Sequence, residues 1–356
     1  MSQARNFADL LASGTKLTAN KLDDNAIHGN RNLIINGAMQ VAQRGTSSTG
    51  LGSDTSANFV MDRFLTSSNS AGRYTMSQNT ITDLSGFANS LKLACTTADT
   101  SIASSEYLLF QHRFEGQDLQ HLKKGTSNAE TLTLSFYVKG NANATYTAEL
   151  YDYDNTRQFS QRFNVTTSWN RISLTYAGDT TGAYDDDNAL SLILIIWLHA
   201  GLDYTSGTQN TAWGAAVNNQ RANSSDTSFF DSTSRTFEIT GIQLEVGEAT
   251  PFEHRSFGDE LARCQRYFIP FQITSTWLNN LNSAGLYWHY SLPVEMRATP
   301  TCTVGSTIQY WSGGGSANVT PSSINPNKTG FSLRKASGLT NANGYHTGTI
   351  NCDAEL

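Results

Sequence analysis

The chain has 356 residues, of which 15 % are charged, and its net charge is −6. The charged share lies well below the roughly 25 % of an average soluble domain, and lysines and arginines do not cluster beyond pairs such as Lys123-Lys124. This excludes the basic stripe that nucleic-acid binding needs. Residues 190–198 form the longest apolar run, about half of a membrane-spanning helix, so we expect no membrane insertion.

The first 30 residues differ in pattern from the rest of the chain. Phe7, Leu10 and Leu11 have helical spacing, and Gly14 follows as a stop signal. A helix this short is not stable alone in water. Residues 1–30 are therefore either a disordered leader or an anchor peptide that becomes ordered on a larger assembly.

Residues 31–255 contain many short runs in which apolar and polar residues alternate. The clearest covers residues 131–139, and His112 lies in a similar apolar row, where we expect a core histidine. Residues 190–198 are apolar on both faces, which is typical of a central strand in a covered sheet or of a subunit interface. Strands at roughly ten-residue spacing predict an all-β, antiparallel jelly-roll β-sandwich.

Two polar features of this region bear on its geometry. The adjacent Asp62 and Arg63 lie among apolar residues, and we expect them to form a partly buried ion pair that closes a loop. Near the end of the region, the apolar positions of residues 236–246 change parity at Gly241. One inserted residue restores the apolar set to one face, so the pattern predicts a β-bulge at this glycine.

Residues 241–268 join the sandwich to a second unit. Pro251 lets the chain leave the sheet, and we expect Glu253 and Arg255 to pair beside it. Ser256 is a good N-cap for a short helix. The predicted organisation is therefore an N-terminal anchor peptide (residues 1–30), the jelly-roll sandwich (residues 31–255), and a short linker helix with a small C-terminal β domain (residues 256–356).

The four cysteines lack a CxxC pair, so the sequence indicates neither a disulfide framework nor a zinc site. We expect reduced and mostly buried thiols. Cys302 and Cys352 are the one pair whose contact deserves a check, because both lie in strand-like segments of the same small unit.

Several motifs together carry a family resemblance. They are Asn32-Leu-Ile-Ile-Asn-Gly-Ala-Met, Asp62-Arg-Phe, the strand at residues 132–139, and the junction from Gly241-Ile-Gln-Leu-Glu-Val-Gly onward. This pattern, over about residues 32–268, resembles tail-fibre and other virion appendage proteins of tailed bacteriophages, whose main domain is similar to a carbohydrate-binding-module β-sandwich. Phe64 stands where these proteins usually have tryptophan, and the spacing from Gly247 to Ala249 is one residue shorter than usual.

The resemblance implies a homotrimeric fibre or spike of the virion, assembled in the host cytoplasm. It also implies attachment to tail, portal or capsid proteins through residues 1–30, and a distal end that binds a host-surface polysaccharide or other receptor. A capsid-attached head fibre or decoration protein with a mainly structural role is the alternative. A polysaccharide-degrading tailspike is a further one, but the repeats of its usual β-helix are absent from this sequence.

Sugar-binding sites place aromatic faces against pyranose rings and add a few amides or carboxylates. The second unit is rich in aromatic residues, which are either receptor contacts or core and trimer contacts. The receptor candidates are Trp277, Tyr287, Tyr310, Trp311 and, in the loop at residues 201–234, Trp213.

The sequence gives no sign of catalytic chemistry. It lacks a GxSxG elbow, a HExxH helix, a P-loop and a dinucleotide fingerprint, so we expect no enzyme and no cofactor. Asp185 and Asp187 form an acidic turn that is either simply solvated or binds calcium through loop oxygens.

Overall fold

The computed structural model describes residues 30–53, 55–273, 286–312, 315–335 and 344–356. Within these ranges the chain is built almost entirely from antiparallel strands. Two large sheets face each other as a β-sandwich, and a smaller β unit follows. The predicted all-β sandwich class is confirmed. No helix in the described ranges is long and apolar enough to cross a membrane.

The first layer of the sandwich, sheet A, has the strand order β1-β4-β5-β13-β7-β10. Its strands are β1 (Ser47–Leu51), β4 (Arg73–Thr80), β5 (Asn89–Thr97), β13 (Thr236–Val246), β7 (Leu132–Gly140) and β10 (Asn170–Tyr176).

The second layer, sheet B, has the strand order β12-β9-β8-β11-β6-β3-β2. Its strands are β12 (Gly214–Ala215), β9 (Arg157–Val165), β8 (Ala144–Asp152), β11 (Leu190–Ala200), β6 (Tyr107–Glu115), β3 (Phe64–Asn69) and β2 (Asn58–Phe59). A short helix α1 (Leu202–Thr205) follows β11, and 3-10 turns occupy Gly116–Asp118, Gln120–Leu122 and Asn218–Gln220.

The core lies between the two sheets and follows directly from the alternation of the sequence. In β7, Leu134, Phe136 and Val138 are fully buried and point at sheet B. Side chains of this size each stabilise the fold by about 1.5–3 kcal/mol when they leave water. His112 belongs to the same buried layer, as expected, and its Nε2 accepts a hydrogen bond from the Ile35 amide at 3.2 Å.

Strand β11 is the central strand of sheet B and is covered on both sides. Leu192, Leu194, Ile196 and Leu198 face the sandwich core, whereas Ile193, Ile195 and Trp197 pack on the opposite face with Ala222 of the loop at residues 201–234. The prediction of a central strand in a covered sheet is confirmed. The second cover is a loop of the same chain.

Strand β13 contains the predicted bulge. Its register against β7 shifts between Thr240 and Gln243, and Gly241 has a φ of 61°. That left-handed conformation costs a glycine little, because it has no Cβ. A Cβ at this position would lie 2.7 Å from the Phe87 ring and 2.9 Å from the Tyr137 ring.

The segment at residues 30–36 runs beside the second half of β13. The Leu33 amide donates to Leu244 O at 2.9 Å. The Asn32 side chain donates to Ile242 O at 3.1 Å and accepts from the Leu244 amide at 3.1 Å. Asn32 thus occupies backbone groups of β13 beyond Ile239, where the pairing with β5 ends.

The prediction of an ion pair between Asp62 and Arg63 is wrong. The two side chains separate because Arg63 has a left-handed φ of 70°. Asp62 accepts from Gln43 at 2.6 Å and lies 3.5 Å from Arg44; burial raises its pKa to about 6. The Arg63 guanidinium is buried, pairs with Glu355 and stacks 3.4 Å from the centre of the Tyr267 ring.

The junction after β13 has the predicted polar pairing. Glu253 and Arg255 are 3.6 Å apart, Pro251 is exposed, and Arg255 Nη1 donates to Ile34 O at 3.0 Å. Ser256 Oγ accepts from the Asp259 amide and caps helix α2 (Phe257–Gln265). The predicted N-cap is confirmed.

Helix α2 leads into the smaller β unit, whose strands form two sheets. Glu115, buried at the end of β6, accepts hydrogen bonds from Arg266 at 2.7 Å and Tyr267 at 2.5 Å, so the helix end is fixed to sheet B. One sheet has the order β14-β20-β16-β17 and the other β15-β19-β18. The strands are β14 (Phe268–Ile273), β15 (Leu286–Ser291), β16 (Thr301–Ser312), β17 (Gly315–Val319), β18 (Ser323–Asn327), β19 (Gly330–Lys335) and β20 (Gly344–Asp353).

Cys302 and Cys352 face each other across β16 and β20. Their Sγ atoms are 2.9 Å apart and share one S–H···S hydrogen bond. This contact lowers the pKa of Cys302, whereas the same contact and burial raise the pKa of Cys352. The pair singled out in the sequence is thus in contact, and both cysteines are free thiols.

The bulge geometry predicts a larger penalty at Gly241 than at a second left-handed glycine. Gly241→Ala combines an unfavourable φ with a collision against Phe87, and should lower the free energy of unfolding by about 2–3 kcal/mol. Gly247→Ala is the matched control, because Gly247 has a φ of 83° and open space around the missing Cβ. Urea denaturation compares the two variants, and equal losses would contradict the assigned crowding.

Candidate functional site

The outer face of sheet B carries a row of aromatic side chains, which we call the aromatic strip. Its Trp197 is buried under the loop at residues 201–234, whereas Tyr107, Tyr151 and Tyr204 are partly exposed. Tyr107 comes from β6, Trp197 from β11 and Tyr151 from β8, because the outward position alternates with the core position along each strand. Tyr204 of α1 bridges two of them, with ring centres 5.8 Å from Tyr107 and 5.0 Å from Trp197. Tyr153 extends the row and is 55 % exposed.

Arg221 closes the gap between Trp197 and Tyr151. Its guanidinium carbon lies 5.1 Å from the Trp197 ring centre and 4.7 Å from that of Tyr151. A cation held over two π faces attracts both rings. Arg221 belongs to the loop at residues 201–234, so this contact joins the loop to two rings of the strip.

A buried carboxylate lies beside the strip, on the same face of β8 as Tyr151. Glu149 of β8 is fully buried, accepts a hydrogen bond from Trp197 Nε1 at 2.6 Å, and receives Arg221 Nε at 3.0 Å. Burial raises the pKa of Glu149, and the neighbouring Arg221 opposes that rise. The bonds fix the orientation of the Trp197 ring and the Arg221 guanidinium, and both therefore keep one conformation without a ligand.

Polar side chains adjoin the strip along β6. Gln111 is buried and accepts from Arg113 Nε at 3.3 Å, and Arg113 is half-buried on the same outward face. Aromatic faces beside amide and guanidinium donors are the combination with which proteins bind the apolar faces and the hydroxyls of a sugar.

A cleft at the junction between the sandwich and the smaller unit is the second concave site. Its volume is about 690 Å³, within the usual range for ligand pockets. The Arg44 guanidinium lies 3.6 Å from the Phe268 ring centre and 3.2 Å from Asp353. Arg44 therefore covers the aromatic face of the cleft. The cleft is lined by Gln43, Arg44, Phe268, Thr301, Thr303, Asn351, Asp353 and Glu355.

The receptor candidates from the sequence are not part of the aromatic strip as far as the structure describes them. Trp277 lies outside the described residues. Tyr287 is on β15, and Tyr310 and Trp311 are on β16, where the backbone is described. Trp213 is half-buried, packs on Phe159 at 5.9 Å and donates to Ala177 O at 2.7 Å, so it covers an edge of the sandwich core.

The other candidate residues fall into two groups. The anchor residues Phe7, Leu10 and Leu11 lie outside the described residues. Asp185 and Asp187 are exposed; Asp187 accepts from the Ala189 amide at 2.8 Å, as in a hydrogen-bonded turn. Their binding of calcium stays a prediction.

Sequence reasoning missed the strip, although one signal was present. Tyr107, Tyr151 and Trp197 occupy the positions opposite to apolar core residues in their strands. Their proximity depends on the register of β6, β11 and β8, which alternation alone does not fix. Arg221 and Tyr204 come from a loop that has no periodic pattern.

Comparison with known proteins gives structural neighbours alone. No family model matches the chain, and no curated protein matches its sequence. A CBM4 structure covers 60 % of this chain and 98 % of its own, at 11 % identity and a TM-score of 0.31. TmCBM61 in complex with β-1,4-galactotriose covers 61 % and 100 %, at 9 % identity and a TM-score of 0.31.

A third neighbour is a tailspike. The enzymatically active domain of bacteriophage CBA120 tailspike protein 4 covers 62 % of this chain, while the match spans 22 % of the tailspike chain, at 10 % identity and a TM-score of 0.32. At these values no binding residue, ligand or activity transfers from the neighbours to this chain.

Removal of Arg221 should destabilise the protein in a pH-dependent way. Arg221→Ala leaves Glu149 buried without a counter-charge, which costs about 3–5 kcal/mol of unfolding free energy. Without Arg221, the raised pKa of Glu149 in the folded protein rises further. The loss of unfolding free energy therefore grows as the pH increases above the pKa of Glu149 in the unfolded chain, and it is smaller near pH 5. Chemical denaturation at pH 5 and pH 8 measures it.

Two comparisons control this experiment. The double variant Glu149→Gln/Arg221→Ala should recover most of the stability, since no buried charge remains. Lys123→Ala removes an exposed pair with Glu130 and should cost less than about 1 kcal/mol. A pH-independent loss in Arg221→Ala would contradict the assignment of Glu149 as its buried partner.

Proposed function

We propose that this chain is a non-enzymatic virion fibre or spike protein that binds a host-surface glycan through the aromatic strip. The single observation that carries the glycan proposal is the set of partly exposed rings Tyr107, Tyr204 and Tyr151. They pack around the buried Trp197 and Arg221, which Glu149 holds in place. Rings held in advance in one orientation lose little conformational entropy when a flat pyranose stacks on them.

The surroundings of the strip support binding without catalysis. Glycosidic cleavage needs two carboxyl groups placed on either side of the scissile bond. Glu149 lies beside the strip on the same face of β8 as Tyr151, and it is fully buried and bound by Trp197 and Arg221. It therefore cannot reach the glycosidic oxygen of a sugar that lies on the rings.

The virion role rests on the motifs at residues 32–39, 62–64, 132–139 and 241–268 that resemble phage appendage proteins. From that resemblance we infer a homotrimer that attaches to tail, portal or capsid proteins through residues 1–30. Three copies present three strips, and linked weak sites raise avidity by orders of magnitude without any new contact. A head fibre would use the same sandwich with another attachment partner.

Single replacements in the strip test the glycan proposal. Tyr151→Ala should weaken binding to host polysaccharide about tenfold, equivalent to the ~1.4 kcal/mol of one lost ring contact. A glycan array identifies the ligand and calorimetry measures the affinity. Trp169→Ala, which removes a ring bound to Asp83 away from the strip, is the matched control. The incubated polysaccharide should show no new reducing ends.

The same assay tests the alternative that the receptor surface lies in the smaller β unit. Trp277→Ala and Trp311→Ala should leave the affinity unchanged if the strip is the receptor surface. Loss of binding in these variants, with normal binding in Tyr151→Ala, would place the receptor surface in the smaller unit instead. Release of oligosaccharides by the wild-type protein would overturn the non-enzymatic proposal.

Deletion of residues 1–30 tests attachment separately from binding. We expect the truncated chain to remain a soluble trimer by light scattering and to keep its glycan affinity, because the strip and the core lie outside the deleted segment. Virions assembled with it should lack the protein, as measured by immunoblotting of purified particles. A monomeric product, or normal incorporation into particles, would contradict the anchor and trimer proposals respectively.

A further inference from the structure

Three side chains capable of metal binding meet at one end of the sandwich. Asp99 lies in the loop after β5, Glu106 precedes β6, and His199 is near the end of β11. One potential ligand atom from each lies within 4.8 Å of the other two. His199 is 2 % exposed and Asp99 6 % exposed, so water does not screen the charges of this cluster well.

His199 has a buried ring nitrogen without a hydrogen bond. Its Nε2 is buried and has no hydrogen-bond partner. The neighbouring carboxylate oxygen, Glu106 Oε2, is 3.7 Å away, which is too far for a hydrogen bond. A buried polar atom without a partner destabilises the fold, and a bound cation would remove that cost.

The other ring nitrogen of His199 has the partner typical of a metal-bound histidine. Nδ1 is 2.8 Å from Ser228 Oγ, and the same oxygen already accepts from the Phe230 amide at 3.1 Å. When Nδ1–H donates to Ser228, the lone pair of Nε2 points towards the two carboxylates. Histidine ligands of metals are oriented in this way by a hydrogen bond from the second nitrogen.

The carboxylates are also held in place and keep free lone pairs. Each oxygen accepts one hydrogen bond, and a carboxylate oxygen has about two acceptor positions. The donors to Asp99 are the Ser101 amide at 3.1 Å and Ser70 Oγ at 3.0 Å, and the donors to Glu106 are the Ala71 amide at 3.2 Å and the Ala103 amide at 2.8 Å.

We propose that Asp99, Glu106 and His199 bind one divalent transition-metal ion of the zinc type. Zinc takes imidazole and carboxylate ligands at about 2.0–2.2 Å in a tetrahedral arrangement, which places the ligand atoms about 3.3–3.6 Å apart. The separation of 3.7 Å between Nε2 and Glu106 Oε2 is close to that value. Calcium and magnesium prefer oxygen ligands alone, so the imidazole favours a transition metal.

The fourth ligand position can be filled by water. A cavity of about 80 Å³ borders the site and is lined by His199, Ser228 and the exposed Ile102, among others. It exceeds the roughly 30 Å³ that one liquid water occupies. The ion would join the loop after β5 to the end of β11, and because Glu106 immediately precedes Tyr107, it would also fix one end of the aromatic strip.

Zinc binding by the full chain tests the proposal. The protein is stripped with a chelator, dialysed against Zn²⁺, and assayed for metal content by mass spectrometry and for affinity by competition with a chromophoric chelator. We expect one ion per chain and a higher thermal midpoint. His199→Gln and Glu106→Gln should each lower the zinc affinity at least about 100-fold, since loss of even an outer-shell partner costs 10–100-fold.

His121→Gln is the matched control, because His121 is exposed and distant in sequence from all three ligands; it should bind zinc like the wild type. Absence of a stoichiometric ion in the wild-type chain would overturn the proposal, whatever the variants do. Equal zinc binding by wild type and Glu106→Gln, or tighter binding of Ca²⁺ than of Zn²⁺ by the wild type, would also overturn it.

Discussion

The aromatic strip depends on one buried charge. Glu149 lies inside sheet B without exposure to water, and a carboxylate there is tolerated only with a counter-charge and hydrogen bonds. Arg221 and Trp197 supply both. Arg221 comes from the loop at residues 201–234. Its pairing with Glu149 therefore helps to hold that loop over the second apolar face of β11, together with backbone bonds such as that from the Phe229 amide to Leu198 O.

Features that depend on neighbours along the chain could be predicted from the sequence. Alternation located β7 and the doubly covered β11, a change of parity located the bulge at Gly241, and short spacing located the pair of Glu253 and Arg255. Local chemistry also identified Ser256 as an N-cap. In each case the partners are close in sequence, so the backbone period alone decides which face they occupy.

Features that depend on distant segments could not be predicted in this way. Arg63 pairs with Glu355, 292 residues later, and nothing near Asp62 in the sequence reveals that its neighbour turns away. The strip needs the register of three strands and the path of a loop. The cluster of Asp99, Glu106 and His199 likewise joins three segments, and none of them contains a recognisable ligand spacing on its own.

The contacts of residues 30–36 determine how force would pass through the protein. Asn30 accepts from Arg263 of α2 at 2.6 Å, Glu253 accepts from the Asn32 amide at 2.7 Å, and Arg255 donates to Ile34 O. These bonds tie the start of the sandwich to the helix that leads into the smaller unit. Tension applied between residue 30 and the smaller unit would therefore load this short polar bridge, in parallel with the bonds that join residues 32–33 to β13 and the end of α2 to sheet B.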